Sequence, residues 1–243
     1  MPETVEFLKQ IEGGVAICSI VGKYRTGKSF LLNKIMGLSR EKGFVVSGSV
    51  NACTKGLWIW SKPIYNDKDN VNIFFMDTEG LDSIESNSNI DHKLFALSVL
   101  LSSYFIYNSI GSIEENSINS LALITKLIQT VTVNQGQSLQ SEYELSQYAP
   151  KFLWVIRDFV LLIRDLKNRK VTSKMYLESN LSDLPVGNQG LTRNSEESLR
   201  IRKSILSFFK YRDCVTLIRP LDSEDDLRNI QFIDDSKIKP KFT

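Results

Sequence analysis

The sequence predicts an α/β domain in which a mostly parallel central sheet carries helices on both faces. Apolar runs of strand length recur along the chain, at residues 15–21, 71–76, 104–107 and 152–156. Stretches with apolar residues at helical spacing separate these runs, and a glycine-bearing loop follows the first run. Continuous apolar strands that alternate with helices are typical of parallel sheets, because such strands are buried on both faces.

Length and composition are consistent with one large domain or at most two small ones. The chain has 243 residues, of which 42% are apolar and 24% charged, enough to bury a full core. Its 30 basic and 28 acidic residues nearly balance, so we expect neither a nucleic-acid partner nor contact with an anionic membrane. The longest apolar stretch, residues 94–101, is too short to cross a bilayer.

The thiols and the N-terminus indicate a cytoplasmic protein. Three cysteines, Cys18, Cys53 and Cys214, are spaced too widely for a metal signature and form no even disulfide set. We therefore expect reduced thiols. The first residues are neither basic nor apolar enough for a secretory signal.

The remaining elements follow from periodicity and turn residues. Residues 56–60 and 71–76 read as strands joined by a hairpin turn at 66–70. Further helices are predicted around residues 7–11, 30–36, 94–101, 118–128 and 201–209, with a last strand at 215–218. Residues 43–54 and 135–147 read as loops, and residues 180–197 as an exposed excursion. The tryptophans Trp58, Trp60 and Trp154 fall in strands, and we expect them in the core.

Residues 22–29 carry the strongest chemical signal. They match G-x-x-x-x-G-K-[ST] at every fixed position, between a buried strand and a helix, as a phosphate-binding loop requires. Glycines let backbone N–H groups close around phosphates, and the helix N-terminus adds its dipole. Lys28 should reach the β and γ phosphates, and the Ser29 hydroxyl should bind Mg²⁺. The sequence thus predicts a P-loop NTPase.

A second nucleotide signal stands at the end of the strand that finishes near residue 76. Asp77 and Gly80 form D-x-x-G, in which the acidic residue can hold Mg²⁺ and the glycine N–H can face the γ-phosphate. Between the two signals, Thr54 is placed to bring its hydroxyl to the metal and its carbonyl near the attacking water. Without its neighbours, Thr54 would read as a strand-edge threonine.

The third signal is the pair Arg157 and Asp158, directly after the strand that ends at residue 156. An aspartate there can accept both N1–H and the exocyclic amine of guanine. For a lone Arg-Asp pair, however, a helix-capping aspartate beside a surface arginine is the better interpretation, and the base-recognition sequence Asn-Lys-x-Asp is absent. Position alone leaves the base open.

Taken together, these motifs resemble those of guanylate-binding proteins, large GTPases related to atlastins within the dynamin superfamily. The resemblance is carried, in the family's order, by residues 21–29, 54–60, 77–81, 107–111 and 157–159, with residues 214–220 similar to the strand before the family's guanine cap. It implies a G domain that binds GTP with Mg²⁺, hydrolyses it by water attack on the γ-phosphate, and pairs with a second G domain when nucleotide is bound.

The resemblance also implies a role for each motif residue. Arg25 matches an internal arginine finger, Glu79 a position that arranges water near the nucleophile, and Arg157 with Asp158 the guanine-reading pair. The expected catalytic residues are Arg25, Lys28, Thr54 and Glu79, and the expected metal ligands are Ser29, Thr54 and Asp77. The expected nucleotide-binding residues are Gly22, Lys23, Tyr24, Arg25, Thr26, Gly27, Lys28, Ser29, Phe30, Asp77, Gly80, Arg157 and Asp158.

This chain departs from the family pattern in two respects. A serine that helps to orient the attacking water in animal members is replaced by Ala52. The family's G domain also begins with a further strand and continues into a final helix, so we expect residues 1–243 to be a single G domain shortened at both ends. Both departures keep an alternative open: a GTP-binding scaffold with negligible hydrolysis that pairs with a full-length relative.

Overall fold

The computed structural model describes residues 2–38, 42–46, 54–81, 88–134, 146–147, 149–165, 167–182 and 193–242. Within these ranges the strands are β1 (Gly14–Gly22), β2 (Leu57–Ile59), β3 (Ile64–Asn66), β4 (Val71–Thr78), β5 (Tyr104–Ile110), β6 (Lys151–Arg157) and β7 (Arg212–Thr216). The helices are α1 (Pro2–Lys9), α2 (Lys28–Ile35), α3 (Ser88–Leu101), α4 (Glu115–Asn134), α5 (Ser173–Ser182), α6 (Arg193–Phe208) and α7 (Glu224–Arg228). Short 3-10 helices follow at Ile230–Phe232 and Asp235–Lys237.

The strands form one sheet in the order β2-β4-β1-β5-β6-β7, and β3 also pairs with β4. The strand pairs β4–β1, β1–β5, β5–β6 and β6–β7 are parallel, whereas β2 and β3 run antiparallel to β4 at one edge. The predicted class, a mostly parallel α/β sheet, is therefore confirmed. The chain runs from β1 to β2–β4 on one side of it and then crosses to β5 on its other side. Ligands bind at the carboxyl ends of the strands where the order reverses in this way in open α/β sheets.

Helices cover both faces of this sheet, as predicted. Along β5 the alternation is clear, since Phe105 and Tyr107 pack into one core cluster and Ile106 into the other. The larger cluster also takes buried side chains from α3, α4, α5 and α6, and the smaller one takes Leu31 and Leu32 from α2. The phosphate-loop helix is thus packed on one face by its own apolar side chains, which fixes its N-terminus beside the end of β1.

The strand β3 corrects the predicted hairpin. The turn at residues 67–70 joins β3 to β4, and not the strand at 57–59 to β4. Trp58 was expected in the core, but its side chain is 58% exposed, because β2 is a short edge strand with one face open to solvent. Trp154 is completely buried, as expected, and its Nε1 donates to Ser109 Oγ at 2.9 Å.

Two predictions for the second half of the chain also need correction. The excursion at residues 180–197 is helical at both ends, where α5 finishes and α6 begins, and residues 183–192 lie outside the described ranges. The last strand is Arg212–Thr216, so the apolar residues Leu217 and Ile218 follow it and pack beside the cluster of Phe30, Ile238 and Phe242. No helix in the described part of the chain is long and apolar enough to span a membrane.

A buried arginine ties three helices together on the larger core face. Arg202 of α6 is 4% exposed and donates to both carboxylate oxygens of Glu115 at the start of α4, at 2.9 and 2.5 Å. Its Nε donates to the carbonyl of Asn180 in α5 at 2.9 Å. These bonds hold the pKa of the Glu115 carboxyl below its ordinary value.

We predict that Arg202→Ala lowers the free energy of unfolding by about 2–3 kcal/mol, because charge-assisted hydrogen bonds and packing are lost together. The matched control is Arg228→Ala, whose exposed pair with Asp225 contributes less than about 0.5 kcal/mol. Urea denaturation measures both. Equal effects of the two substitutions would show that the three-helix tie is unimportant.

The depressed pKa of Glu115 sets the pH dependence of this tie. A carboxyl with a lowered folded pKa stabilises the fold above its unfolded pKa and loses that contribution as pH falls through the folded pKa. The stability difference between wild type and Arg202→Ala should therefore shrink below about pH 4, which is near the ordinary pKa of glutamate.

Candidate functional site

The main cleft lies at the carboxyl ends of the central parallel strands and has a volume of about 470 Å³. Residues 24–30 form its floor, and Thr54, Thr78 and Gly80 line the side next to β4. The opposite side is lined by Arg157 and Asp158, together with residues 219–230 around α7. The cleft thus brings together the phosphate loop, Thr78 and Gly80 of the D-x-x-G motif, and the Arg-Asp pair, which are far apart in the sequence.

The phosphate loop is closed by side-chain contacts to its own backbone. The carbonyl of Lys23 accepts hydrogen bonds from Thr26 Oγ1 at 2.8 Å and from Lys28 Nζ at 3.1 Å. Asn108, at the end of β5, donates from Nδ2 to the carbonyl of Thr26 at 3.0 Å. Gly27 has a φ of 72° and directly precedes α2, so it brings the unpaired N–H groups of the helix toward the cleft without a capping side chain.

Lys28 is a buried cation at the start of α2. It is 7% exposed, and burial lowers the pKa of its amine to about 8, although the carboxylates of Asp77 and Glu79 act in the opposite direction. A charged amine at this depth needs anionic partners. Phosphate oxygens in the cleft would supply them.

Two glycines allow the loop to approach its neighbours. A Cβ at Gly22 would overlap the carbonyl oxygen of Asn108 on β5, and a Cβ at Gly80 would lie 2.5 Å from Tyr24 Cα. Backbone bonds complete this contact, because Tyr24 N donates to the Leu81 carbonyl at 2.8 Å and Leu81 N donates to the Gly22 carbonyl at 3.1 Å. The D-x-x-G segment is therefore locked to the phosphate loop.

Asp77 gathers the predicted metal ligands. It is completely buried, and its Oδ2 accepts hydrogen bonds from Ser29 Oγ at 2.6 Å and Thr54 Oγ1 at 3.0 Å. Its Oδ1 is buried and has no hydrogen-bond partner within the described residues. Burial raises the pKa of Asp77, and the bonds from both hydroxyls and the charge of Lys28 act against that rise. A carboxylate and two hydroxyls at one point are the hard oxygen donors that suit Mg²⁺, so the group fits this metal.

Glu79 is directed to the backbone of the segment that carries Thr54. Its Oε2 accepts from Gly56 N at 2.8 Å, and its own N–H donates to the Gly56 carbonyl at 2.9 Å. The carboxylate therefore fixes the start of β2. Ala52, which replaces a serine of the family pattern, lies outside the described residues.

Arg25 stands at the exposed edge of the phosphate loop. Its backbone has a φ of 60°, and its guanidinium lies over the ring of Tyr24, with Cζ 5.3 Å from the ring centroid. The side chain lines the cleft and is solvent-exposed. Because it is exposed, this side chain can reorient without disturbing the core.

Arg157 and Asp158 end β6 at the far side of the cleft. Arg157 is 5% exposed, donates from Nη1 to the Gly27 carbonyl at 3.3 Å, and has a pKa lowered to about 10 by burial. Asp158 has a φ of 54°, a left-handed conformation that turns the chain out of the strand at the cleft. The pair thus spans from the phosphate loop to the region where a base would lie.

Sequence reasoning did not assign three parts of this site. Asn108 was seen only as a member of a motif, although a polar residue in a buried strand beside the phosphate loop was a usable signal. Leu227, Arg228 and Ile230 line the cleft from a segment without a motif. Phe242 places its ring against Arg157, with the guanidinium Cζ 4.7 Å from the ring centroid, and no local pattern indicated this contact.

Comparisons with known proteins show the family of this chain. The family model described as "Guanylate-binding protein, N-terminal domain" matches residues 1–243. Guanylate-binding protein 6 from Homo sapiens is 33% identical over 244 residues, which is 99% of this chain and 37% of that protein. Guanylate-binding protein 6 from Mus musculus is 34% identical, with 99% and 39% covered, and guanylate-binding protein 2 from Homo sapiens is 32% identical, with 99% and 40% covered.

A solved structure was also found. A dimerization-deficient mutant of Toc33 from Arabidopsis thaliana matches with a TM-score of 0.40 and 15% identity, covering 90% of this chain and 77% of that one. The curated relatives are much longer, since this chain spans less than half of their length. On the match over residues 1–243, the chain belongs to the guanylate-binding protein family and corresponds to its N-terminal domain.

Proposed function

We propose that this domain binds GTP and hydrolyses its γ-phosphoanhydride bond by attack of water. The observation that carries the proposal is the buried Lys28 amine at a helix N-terminus, enclosed by a glycine loop and hydrogen-bonded to the carbonyl of Lys23. Its neighbours extend the argument, because a magnesium-type donor set lies on one side and an arginine–aspartate pair on the other. The names of the relatives, guanylate-binding proteins, support guanine as the base.

Ser29, Thr54 and Asp77 are the residues that would hold Mg²⁺. The Ser29 and Thr54 hydroxyls now donate to one oxygen of Asp77, so all three groups are already within contact distance. When bound, the metal would neutralise charge on the phosphate oxygens. Thr54 belongs to the segment that Glu79 fixes through Gly56, so occupancy of the metal site is linked to the position of that segment.

Side chains and backbone groups of the cleft bind the phosphates, stabilise the transition state, orient water and recognise the base. Lys28 and the loop amides hold the phosphates, and the Arg25 guanidinium, moving from its place over Tyr24, stabilises charge that develops on the transferring group. The Thr54 carbonyl and Glu79 orient water near the γ-phosphate. Asp158 accepts from N1–H and the exocyclic amine of guanine, and Arg157 braces the loop at Gly27.

We further propose that nucleotide-bound domains pair and that the protein acts in the cytoplasm. Pairing is supported by the family to which the chain belongs and by the exposed position of Arg25 at the rim of the cleft. The cytoplasmic assignment is supported by Cys18 and Cys214, which are buried free thiols, as is usual for proteins of a reducing compartment.

Lys28→Ala should weaken GTP binding by about 100-fold or more, because charge-assisted bonds to phosphate are lost at a desolvated site. Lys9→Ala is the control: this lysine is exposed, pairs with Glu6 and does not line the cleft, so affinity should stay within about 3-fold of wild type. Titration calorimetry with Mg²⁺ and GTP measures both. Undiminished affinity in Lys28→Ala would reject the phosphate site.

Asp158→Asn should weaken GTP binding and improve binding of xanthosine triphosphate, because an amide offers one donor to the xanthine O2 in place of a second acceptor. We expect a change in the ratio of the two affinities of about 100-fold. The control Asp225→Asn alters an exposed carboxylate and should leave the ratio unchanged. An unchanged ratio in Asp158→Asn, or wild-type protein that prefers ATP, would contradict the guanine assignment.

Arg25→Ala should reduce kcat by about 10³-fold while GTP affinity changes little, because a finger acts on the transition state. Arg25→Lys keeps the charge without the planar guanidinium, so its kcat should fall between those of wild type and Arg25→Ala.

Wild-type turnover per molecule should also rise with protein concentration if domains pair. Turnover that Arg25→Ala leaves intact would reject the finger. Tight GTP binding without wild-type turnover would instead favour the scaffold.

A further inference from the structure

The last described residues form a segment that packs on the phosphate-loop helix. The 3-10 helix Asp235–Lys237 leads into Ile238 and Phe242, which are 4% and 5% exposed and cluster with Phe30 of α2. The rings of Phe242 and Phe30 lie 5.8 Å apart, and Asp235 forms an ion pair with Lys34 of the same helix. The segment is thus held to α2 by apolar and ionic contacts.

The same phenylalanine also contacts the arginine at the far side of the cleft. The Arg157 guanidinium carbon lies 4.7 Å from the centroid of the Phe242 ring, within the range of a cation–π interaction. Another edge of the guanidinium reaches the phosphate loop, where Nη1 donates to the Gly27 carbonyl at 3.3 Å. Arg157 therefore lies between the aromatic ring and the loop that would hold the phosphates.

Arg157 needs this support because it is a buried cation with few partners. Its Nε is buried without a hydrogen-bond partner, and no ion pair to Arg157 occurs among the residues that the structure describes. A guanidinium in such a place gains from an aromatic face, since cation–π attraction is stronger when water is excluded. Without the ring, the side chain would be freer to leave the cleft for solvent.

We propose that Phe242 is a positioning residue for guanine recognition: the face of its ring holds the Arg157 guanidinium in place, and thereby the adjacent Asp158 that reads the base. This inference rests on the proposed function of the cleft. It makes guanine preference depend on how the segment that ends at Phe242 is docked, although that segment carries no nucleotide motif.

Phe242→Leu tests the proposal, because leucine keeps an apolar contact with Phe30 but removes the aromatic face. We expect the affinity for GTP to fall about 10-fold relative to the affinity for ATP, which equals about 1.4 kcal/mol of discrimination. Phe242→Tyr retains the ring and should restore the wild-type ratio to within about 3-fold. Calorimetry with GTP and ATP on the same preparations gives both affinities.

Ile238→Ala is the matched control, since Ile238 shares the cluster with Phe30 and Phe242 and the described contacts to Arg157 do not include it. It should lower the unfolding temperature at least as much as Phe242→Leu while leaving the GTP-to-ATP ratio near wild type. Two results would show that Phe242 acts only through packing and would overturn the proposal. Either Ile238→Ala reduces the GTP-to-ATP affinity ratio as much as Phe242→Leu does, or Phe242→Leu leaves that ratio at the wild-type value.

A measurement without nucleotide separates this proposal from the function on which it rests. NMR of the free protein should show Arg157 side-chain protons shifted upfield by the ring current of Phe242, a shift retained in Phe242→Tyr and lost in Phe242→Met. Absence of the shift in wild type would overturn the positioning role even if a leucine variant failed to fold. Failure of wild type to bind GTP would reject the proposed function, whatever the NMR shows.

Discussion

The burial of the Lys28 amine is the constraint on which the rest of the site depends. An amine that is 7% exposed, with a pKa lowered to about 8, is poorly compensated by one carbonyl at 3.1 Å and by the carboxylates behind it. The surrounding backbone is arranged to bind an anion beside this amine. The glycine loop supplies N–H groups, and α2 directs its N-terminus to the same point.

The sheet and its helices keep this charge where it is. Buried apolar side chains on α2 fix the helix against one sheet face, while Gly22 and Gly80 let β1, β5 and the D-x-x-G segment meet without a clash. Asp77 then joins the phosphate loop to Thr54, and Glu79 joins Thr54's segment to the strand edge. Filling the cleft would therefore act on several elements at once, which is the physical basis for a switch.

The sequence was sufficient for the parts of the site that lie within one motif. Fixed spacings predicted the phosphate loop and Asp77, whereas Arg157 and Asp158 were assigned a role only by the family resemblance, since strand-end position left it open. Trp58 was misplaced because exposure depends on β2 lying at the sheet edge, which no local pattern states. Phe242 was missed for the same reason: its contact with Arg157 joins residues 85 positions apart in the sequence through packing alone.

Proton uptake on GTP binding tests the central claim most directly. At about pH 9 the amine of Lys28 in the free protein is mostly neutral, because burial lowers its pKa, whereas bound phosphates would favour the charged form and raise that pKa again. Calorimetry in two buffers of different ionisation enthalpy measures the protons taken up. The account predicts uptake approaching one proton at about pH 9 and close to none at about pH 7. Tight GTP binding with no uptake at about pH 9 would contradict it, because the buried amine would then already be charged before the phosphates bind.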